Sequence, residues 1–198
     1  LLASLDVVAA VNANDAMARL IDGLPMKKGK TAATLSPAMD IQLPSNFERL
    51  LFELRDRDPV ATAATMRDFR ATGRMPVPDA AWHRARQLFH GFRLDDAGTE
   101  AEIRRLHDTC GYLADPHTAI GIAAARAEPP HGGIPVVAEA TAHPAKFPDA
   151  MERATGLRPP LPARMADLFD REERFTVLPN DLEAVKSNVR ALVGRNRG

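Results

Sequence analysis

The chain has 198 residues, 45% of them hydrophobic, enough to bury the core of one sizeable α/β domain. Its 26 basic and 26 acidic residues give a formal net charge of +0, so no basic face is offered to a phosphate backbone and nucleic acid is set aside as a partner. No apolar run is long enough for a membrane span, and residues 1–11 are interrupted by Asp6 and lack the basic flank of a signal peptide, which makes the cytoplasm the expected compartment.

The first element in chain order is residues 5–11 (LDVVAAV), a short, nearly continuous apolar run with the pattern of a parallel-sheet strand buried on both faces. The chain opens on Leu1-Leu2 and enters this stretch almost at once, so an upstream part is expected. Asn12–Asp15 offer cap side chains to a helix over residues 16–21, with Met17, Leu20 and Ile21 on one face. Residues 23–30 read as a loop. Ser45 and Glu48 have the S-x-x-E spacing of a capping box, and Phe47, Leu50, Leu51 and Leu54 then recur at helical spacing.

Helical pattern dominates the middle: residues 60–72, residues 80–88, a helix capped by Thr99 with Glu102 three residues on, and one begun by Asp115-Pro116. Residues 89–94 between them have strand character. Residues 134–138 (IPVVA) form the clearest late strand, a helix runs through residues 150–155, and residues 175–178 make a last strand. Residues 181–193 close the pattern with Leu182, Val185, Val189 and Leu192 in one apolar stripe. Alternating strands and helices predict an α/β fold: a three-layer, open, mainly parallel sheet with helices on both faces, plus an appended helical segment, residues 58–97 being the candidate insertion.

Several chemistries drop out. Gly23 to Thr31 resembles a phosphate-binding P-loop, but five residues separate its glycines where four are needed, and a helix rather than a strand precedes it. No GxGxxG, GxSxG, HExxH or paired CxxC occurs, so hydride transfer, serine hydrolysis and zinc hydrolysis have no support. The only cysteine, Cys110, has no His/Cys cluster around it; no metal site is expected and the residue is read as a small buried packing group.

Three segments admit both a structural and a functional reading. Asp115-Pro116-His117 is a helix start with an aspartate cap, and His117 acquires a role only if it faces a cleft. Asn46 and Arg49 lie at a helix N-terminus, where free N–H groups suit a phosphate, or they belong to a solvated helix start. Thr141-Ala-His143-Pro-Ala-Lys146-Phe147 follows the 134–138 segment at the carboxyl end of a predicted strand, where open α/β sheets place ligands; turn chemistry is the alternative.

Asn12-Ala-Asn14-Asp15, Thr34-Leu-Ser-Pro-Ala-Met-Asp40-Ile with Ser45-Asn-Phe-Glu-Arg49-Leu-Leu, and Thr141 to Phe147, in this order and approximate spacing, resemble the threonine synthases of bacteria and fungi. The phrase Asp115 to Ala119 falls where that family carries a similar one. The likeness spans about residues 5–155; residues 58–97 and the tail beyond Arg158 match no family phrase. It implies pyridoxal 5'-phosphate as cofactor, O-phospho-L-homoserine and water as substrates, threonine and phosphate as products, and a cofactor held between two α/β domains.

The Schiff-base lysine of the family lies in an S-F-K-D phrase absent from this sequence, so no catalytic residue is assigned here and the lysine is expected upstream. Thr141 matches the threonine that meets the pyridine nitrogen, His143 is a supporting residue beside it, and Asn46, Arg49 and Lys146 are candidates for the substrate's phosphate or carboxylate. The alternatives are a threonine-synthase-like phospholyase releasing a keto acid, or a non-catalytic binding domain of the same fold.

Overall fold

A computed structural model describes residues 6–42, 45–75, 79–127 and 134–195, with the backbone alone at residues 79–81 and 195. It divides into two compact units, Leu1–Pro160 and Leu161–Gly198.

The first unit is organised around a parallel pair of strands. β1 (Val7–Val11) pairs in register with β4 (Phe89–Arg93), Val7 opposite Phe89 and Val11 opposite Arg93. The fold is therefore α/β, with the parallel pairing that the apolar run predicts, and α1 (Ala16–Ile21) and α6 (Pro116–Ala127) both pack against this pair. The burial expected for β1 is not reached. All five residues are half-buried, because among the described residues β1 has one neighbour strand and its other edge is open. Gly91 lets β4 lie directly on α1: a Cβ there would fall 2.9 Å from the Ala18 carbonyl oxygen and 3.0 Å from its Cα.

Residues 58–97 contribute α3 (Pro59–Thr72), β3 (Arg74–Met75), α4 (Asp79–Arg86) and β4. With α1, β2 (Met26–Lys27) and α2 (Phe47–Leu54) they enclose one core, in which Leu20, Met26, Phe47, Leu51, Met66, Phe69 and Trp82 are buried. Two carbonyls at the end of α1, left over by helix geometry, find partners here: Trp82 Nε1 donates to Leu20 at 2.6 Å and Arg86 Nε to Ile21 at 3.0 Å. Phe47 meets Trp82 edge-on at 6.3 Å.

A second core joins α5 (Asp96–Cys110), α6 and α7 (Pro148–Thr155) through Ile103, Leu106, Ala119, Met151 and Ala154. Between α5 and α6 the buried carboxylate of Glu102 accepts from Arg105 and Arg126, with N···O distances of 2.7 and 3.0 Å. Burial alone would raise its pKa; the two guanidinium groups outweigh burial and hold it below the ordinary value.

Further sequence readings need correction, among them the cap expected for α1: Asp15 stands at the cap position without a side-chain bond, and Asn12 and Asn14 bond the loop of residues 32–42. α2 begins at Phe47, and Asn46 occupies the cap position without a side-chain bond; Glu48 turns to Arg70 at 3.7 Å in place of closing a capping box. α5 begins at Asp96, capped by Asp95, whose carboxylate accepts from Gly98 N–H at 2.9 Å, so Thr99 and Glu102 lie inside the helix. Residues 134–138 and 175–178 form no strand: a strand needs a backbone neighbour, none of the described strands pairs with either, and Val137 is 83% and Phe175 75% exposed. Cys110 is exposed at the end of α5 and donates to the Leu106 carbonyl at 3.1 Å.

The second unit holds α8 (Leu182–Arg195), its start capped by Asp181, which accepts from Ala184 N–H at 2.8 Å. Its apolar stripe is exposed, Leu182 at 66% and Val189 at 52%. Arg171 holds the Asp167 carboxyl below its ordinary pKa through a bidentate contact.

Two glycine replacements should move stability in opposite directions. Gly91→Ala drives a methyl into the α1 backbone and should cost about 1–3 kcal/mol, whereas Gly121→Ala, inside α6 with open space beyond its Cα, should gain about 0.5–1 kcal/mol. Urea denaturation of the two variants beside the parent measures both.

Candidate functional site

The end of β1 leads into Asn12 and Asn14, both buried, and their amides seize the loop of residues 32–42. Asn12 Nδ2 faces Thr34 Oγ1 at 2.8 Å, Ser36 Oγ at 3.0 Å and Asp40 Oδ1 at 2.8 Å. Its Oδ1 accepts from the Asn14 backbone N–H at 2.8 Å. Asn14 in turn donates to the Ala32 carbonyl at 2.9 Å and accepts from the Ala32 N–H at 2.9 Å, a backbone-like pairing made by a side chain. Asp40 closes the loop on itself, accepting the Thr34 hydroxyl at 2.6 Å and the Thr34 N–H at 3.0 Å.

Two helix starts grip the same loop from other sides. Asp96, the first residue of α5, accepts from Leu35 N–H at 3.1 Å. At the start of α6, Nε2 of His117 accepts from Ala38 N–H at 3.2 Å, in the one-turn helix Pro37–Met39. The other ring nitrogen, Nδ1, lies 2.9 Å from Asp115 Oδ1. Asp115 is buried and also accepts the His117 backbone N–H at 2.9 Å and the Thr118 hydroxyl. Burial opposes its ionisation, and the His117 side chain, the Thr118 hydroxyl and the His117 N–H together reverse the balance, holding the carboxyl below its ordinary pKa.

The 141–147 segment arrives at the same place. Phe147 packs against the His117 ring, centroids 4.9 Å apart and planes tilted by 50°. α7 follows and is held on α5 by Arg104, whose Nε donates to the Ala154 carbonyl at 2.9 Å, and by Arg153 with Glu100 at 3.2 Å. Four of the phrases singled out, around Asn12, Thr34, Asp115 and Thr141, thus converge, although 135 positions separate Asn12 from Phe147.

Within this frame the candidate residues differ in placement. Thr141 is exposed, and its hydroxyl makes no hydrogen bond among the described residues. His143 caps the short turn Pro144–Lys146, its Nδ1 accepting from Ala145 N–H at 3.2 Å. Lys146 is exposed, its ammonium 6.0 Å from the Phe147 ring centre. Asn46 and Arg49 are exposed on α2; Arg49 lines an open groove of about 780 Å³ with Glu48, Phe52, Pro59 and Thr62, and no hydrogen bond or ion pair among the described residues ties either residue to the 141–147 segment. Sequence reasoning did not find Asp40 or Asp96 as loop anchors. A carboxylate following Ser-Pro three residues on is the only local signal for Asp40, and nothing local marks Asp96.

The chain is an α/β scaffold carrying a loop cluster at a strand end and two helix starts, where such folds gather their ligands. A family model described as threonine synthase, C-terminal, matches residues 118–189. The threonine synthase of Pseudomonas aeruginosa is 45% identical over 184 residues, 92% of this chain and 39% of that protein; the one from Corynebacterium glutamicum is 33% identical over 193 residues, again 92% and 39%. Among solved structures, PLP-bound threonine synthase from Brucella melitensis superposes with a TM-score of 0.82 at 42% identity, over 94% of this chain and 40% of that one. The yeast enzyme does so with 0.78 at 27%, over 96% and 42%. The chain is similar to threonine synthases over nearly its whole length, and it spans about two fifths of the length of the curated relatives it matches.

Acid should loosen this site. Asp115 and Glu102 are both depressed when folded, so their contribution is complete above the ordinary carboxylate pKa near 4 and is lost as pH falls through the lower folded values. Asp115→Asn should lose roughly 1–3 kcal/mol at pH 7 and show a smaller further loss between pH 5 and pH 3 than the parent. Urea denaturation at the three pH values tests the sign; an equal acid loss in both proteins would remove Asp115 from the account.

Proposed function

We propose that this chain is the cofactor-facing, C-terminal portion of a two-domain threonine synthase, which converts O-phospho-L-homoserine and water to L-threonine and phosphate with pyridoxal 5'-phosphate, in the cytoplasm. The observation that carries the reading is the junction at His117, where the 34–41, 115–119 and 141–147 phrases shared with the family meet although they are remote in sequence. The Brucella melitensis relative, described as PLP bound, supports the choice of cofactor.

The residues present fit that group. The unengaged Thr141 hydroxyl is free to donate one hydrogen bond to a pyridine nitrogen, and the exposed Lys146 ammonium, with no ion-pair partner among the described residues, can meet a phosphate or carboxylate. When bound, pyridoxal phosphate supplies an electron sink for negative charge on the substrate carbons. A neutral hydroxyl at Thr141 restrains that sink, because it hydrogen-bonds to the ring nitrogen without holding it protonated as a carboxylate would. Thr141 is thereby assigned to the cofactor, and Asn46, Arg49 and Lys146 to the anionic groups of the substrate, where cationic and N–H donors stabilise a departing phosphate dianion. No Schiff-base lysine is assigned to the described chain.

Borohydride reduction of the native polypeptide in the presence of pyridoxal phosphate, followed by intact mass, should show one phosphopyridoxyl group. Product analysis should then find threonine and phosphate in equal amounts; a keto acid would support the phospholyase alternative, and no adduct would leave a binding domain of this fold. Thr141→Val should shift the cofactor absorbance and lower kcat about 10–100-fold. An unchanged spectrum with unchanged turnover would remove Thr141 from the site.

A further inference from the structure

The His117 ring has three separate engagements. Because Ala38 N–H is a donor, Nε2 must carry a lone pair toward it, which puts the ring proton on Nδ1, facing the Asp115 carboxylate. Turning the ring over would set a C–H against each of these groups, so Asp115 selects both the tautomer and the orientation. The ring also packs against Phe147, centroids 4.9 Å apart and planes tilted by 50°. The side chain is 5% exposed, so the imidazole is held by protein contacts rather than by water.

We propose that His117 is a positioning residue that couples the loop of residues 34–40 to the segment of residues 141–147, so that the two hold their places, or lose them, together. Each segment has anchors of its own. The loop hangs on Asn12, Asn14 and Asp96, and the segment is continuous with α7 on its core. Those anchors belong to different elements, and the imidazole is a contact common to both segments. One ring nitrogen holds a backbone amide of one, and the ring packs against an aromatic ring of the other. The catalytic consequence, correct placement of Thr141, rests on the function proposed above; the coupling itself does not.

The test is amide hydrogen exchange across residues 36–41 in the native polypeptide, without cofactor, for the parent and for His117→Leu, His117→Gln and Phe147→Ala. His117→Leu should exchange the Ala38 amide about tenfold faster. His117→Gln can offer a side-chain oxygen near the Nε2 position, and should recover most of that protection. Phe147→Ala, which leaves the hydrogen bond formally intact, should still raise exchange at Ala38 by about threefold. In protein loaded with pyridoxal phosphate, His117→Leu should also lower kcat more than it raises KM, with partial recovery in His117→Gln.

Parent-like exchange at Ala38 in His117→Leu overturns the proposal. If that variant does not fold, Phe147→Ala decides alone, and parent-like exchange there overturns it equally. The two readings separate cleanly. A parent that takes up no phosphopyridoxyl group defeats the proposed function while the exchange data still decide the coupling; a normal adduct with undisturbed exchange defeats the coupling and leaves the function standing.

Discussion

The buried amide of Asn12 is the interaction on which the site depends. An amide with no water around it must find its partners in the protein, and Asn12 finds them in a loop more than twenty residues away, at Thr34, Ser36 and Asp40. Removing those partners would strand a buried donor, so the loop is bound to the end of β1 by the cost of leaving it. Asp40 serves the same end from the loop side, gathering Asn12, Asn14 and both donors of Thr34 onto one carboxylate. The result is irregular backbone with a defined shape, which a regular helix or strand would not need.

The helix starts extend this arrangement outward. Asp96 and His117 stand at the beginnings of α5 and α6, and each reaches across to a loop N–H. Since Arg126 of α6 pairs with the buried carboxylate of Glu102 on α5, the loop is referred to a linked helical pair. Phe147 then brings the 141–147 segment to the same pair, and α7 continues into the core that the pair helps to form. Thr141 and Lys146 remain on the outside of this construction, exposed and without a hydrogen bond or ion pair among the described residues.

Much of the secondary structure was legible beforehand. Helices α1, α3, α6 and α8 announce themselves through local spacing, although no side chain caps α1, and Asp115-Pro116 opens α6 as read. The misplaced caps at Ser45 and Thr99 show the limit of a motif: S-x-x-E and T-x-x-E describe a possible exchange of bonds, and in both places a better partner was at hand. Glu48 had Arg70, and Glu102 had Arg105 and Arg126. The strand reading at residues 134–138 failed for a different reason. Apolar, β-branched composition makes a segment suited to a sheet, but pairing requires a neighbouring backbone that composition does not specify.

What the amino-acid sequence determined by itself was therefore local and chemical: the periodic helices, the apolar run of β1, the absence of metal and nucleotide motifs, and the phrases that resemble one family. Tertiary structure alone decided that β1 takes β4 as its parallel partner and that Asn12, Asn14, Asp96 and His117 hold one loop, with Phe147 packed against His117. The physical reason is range. A helix bond joins residues four apart and leaves a periodic trace, whereas the bond from Ala38 to His117 spans 79 positions and leaves none.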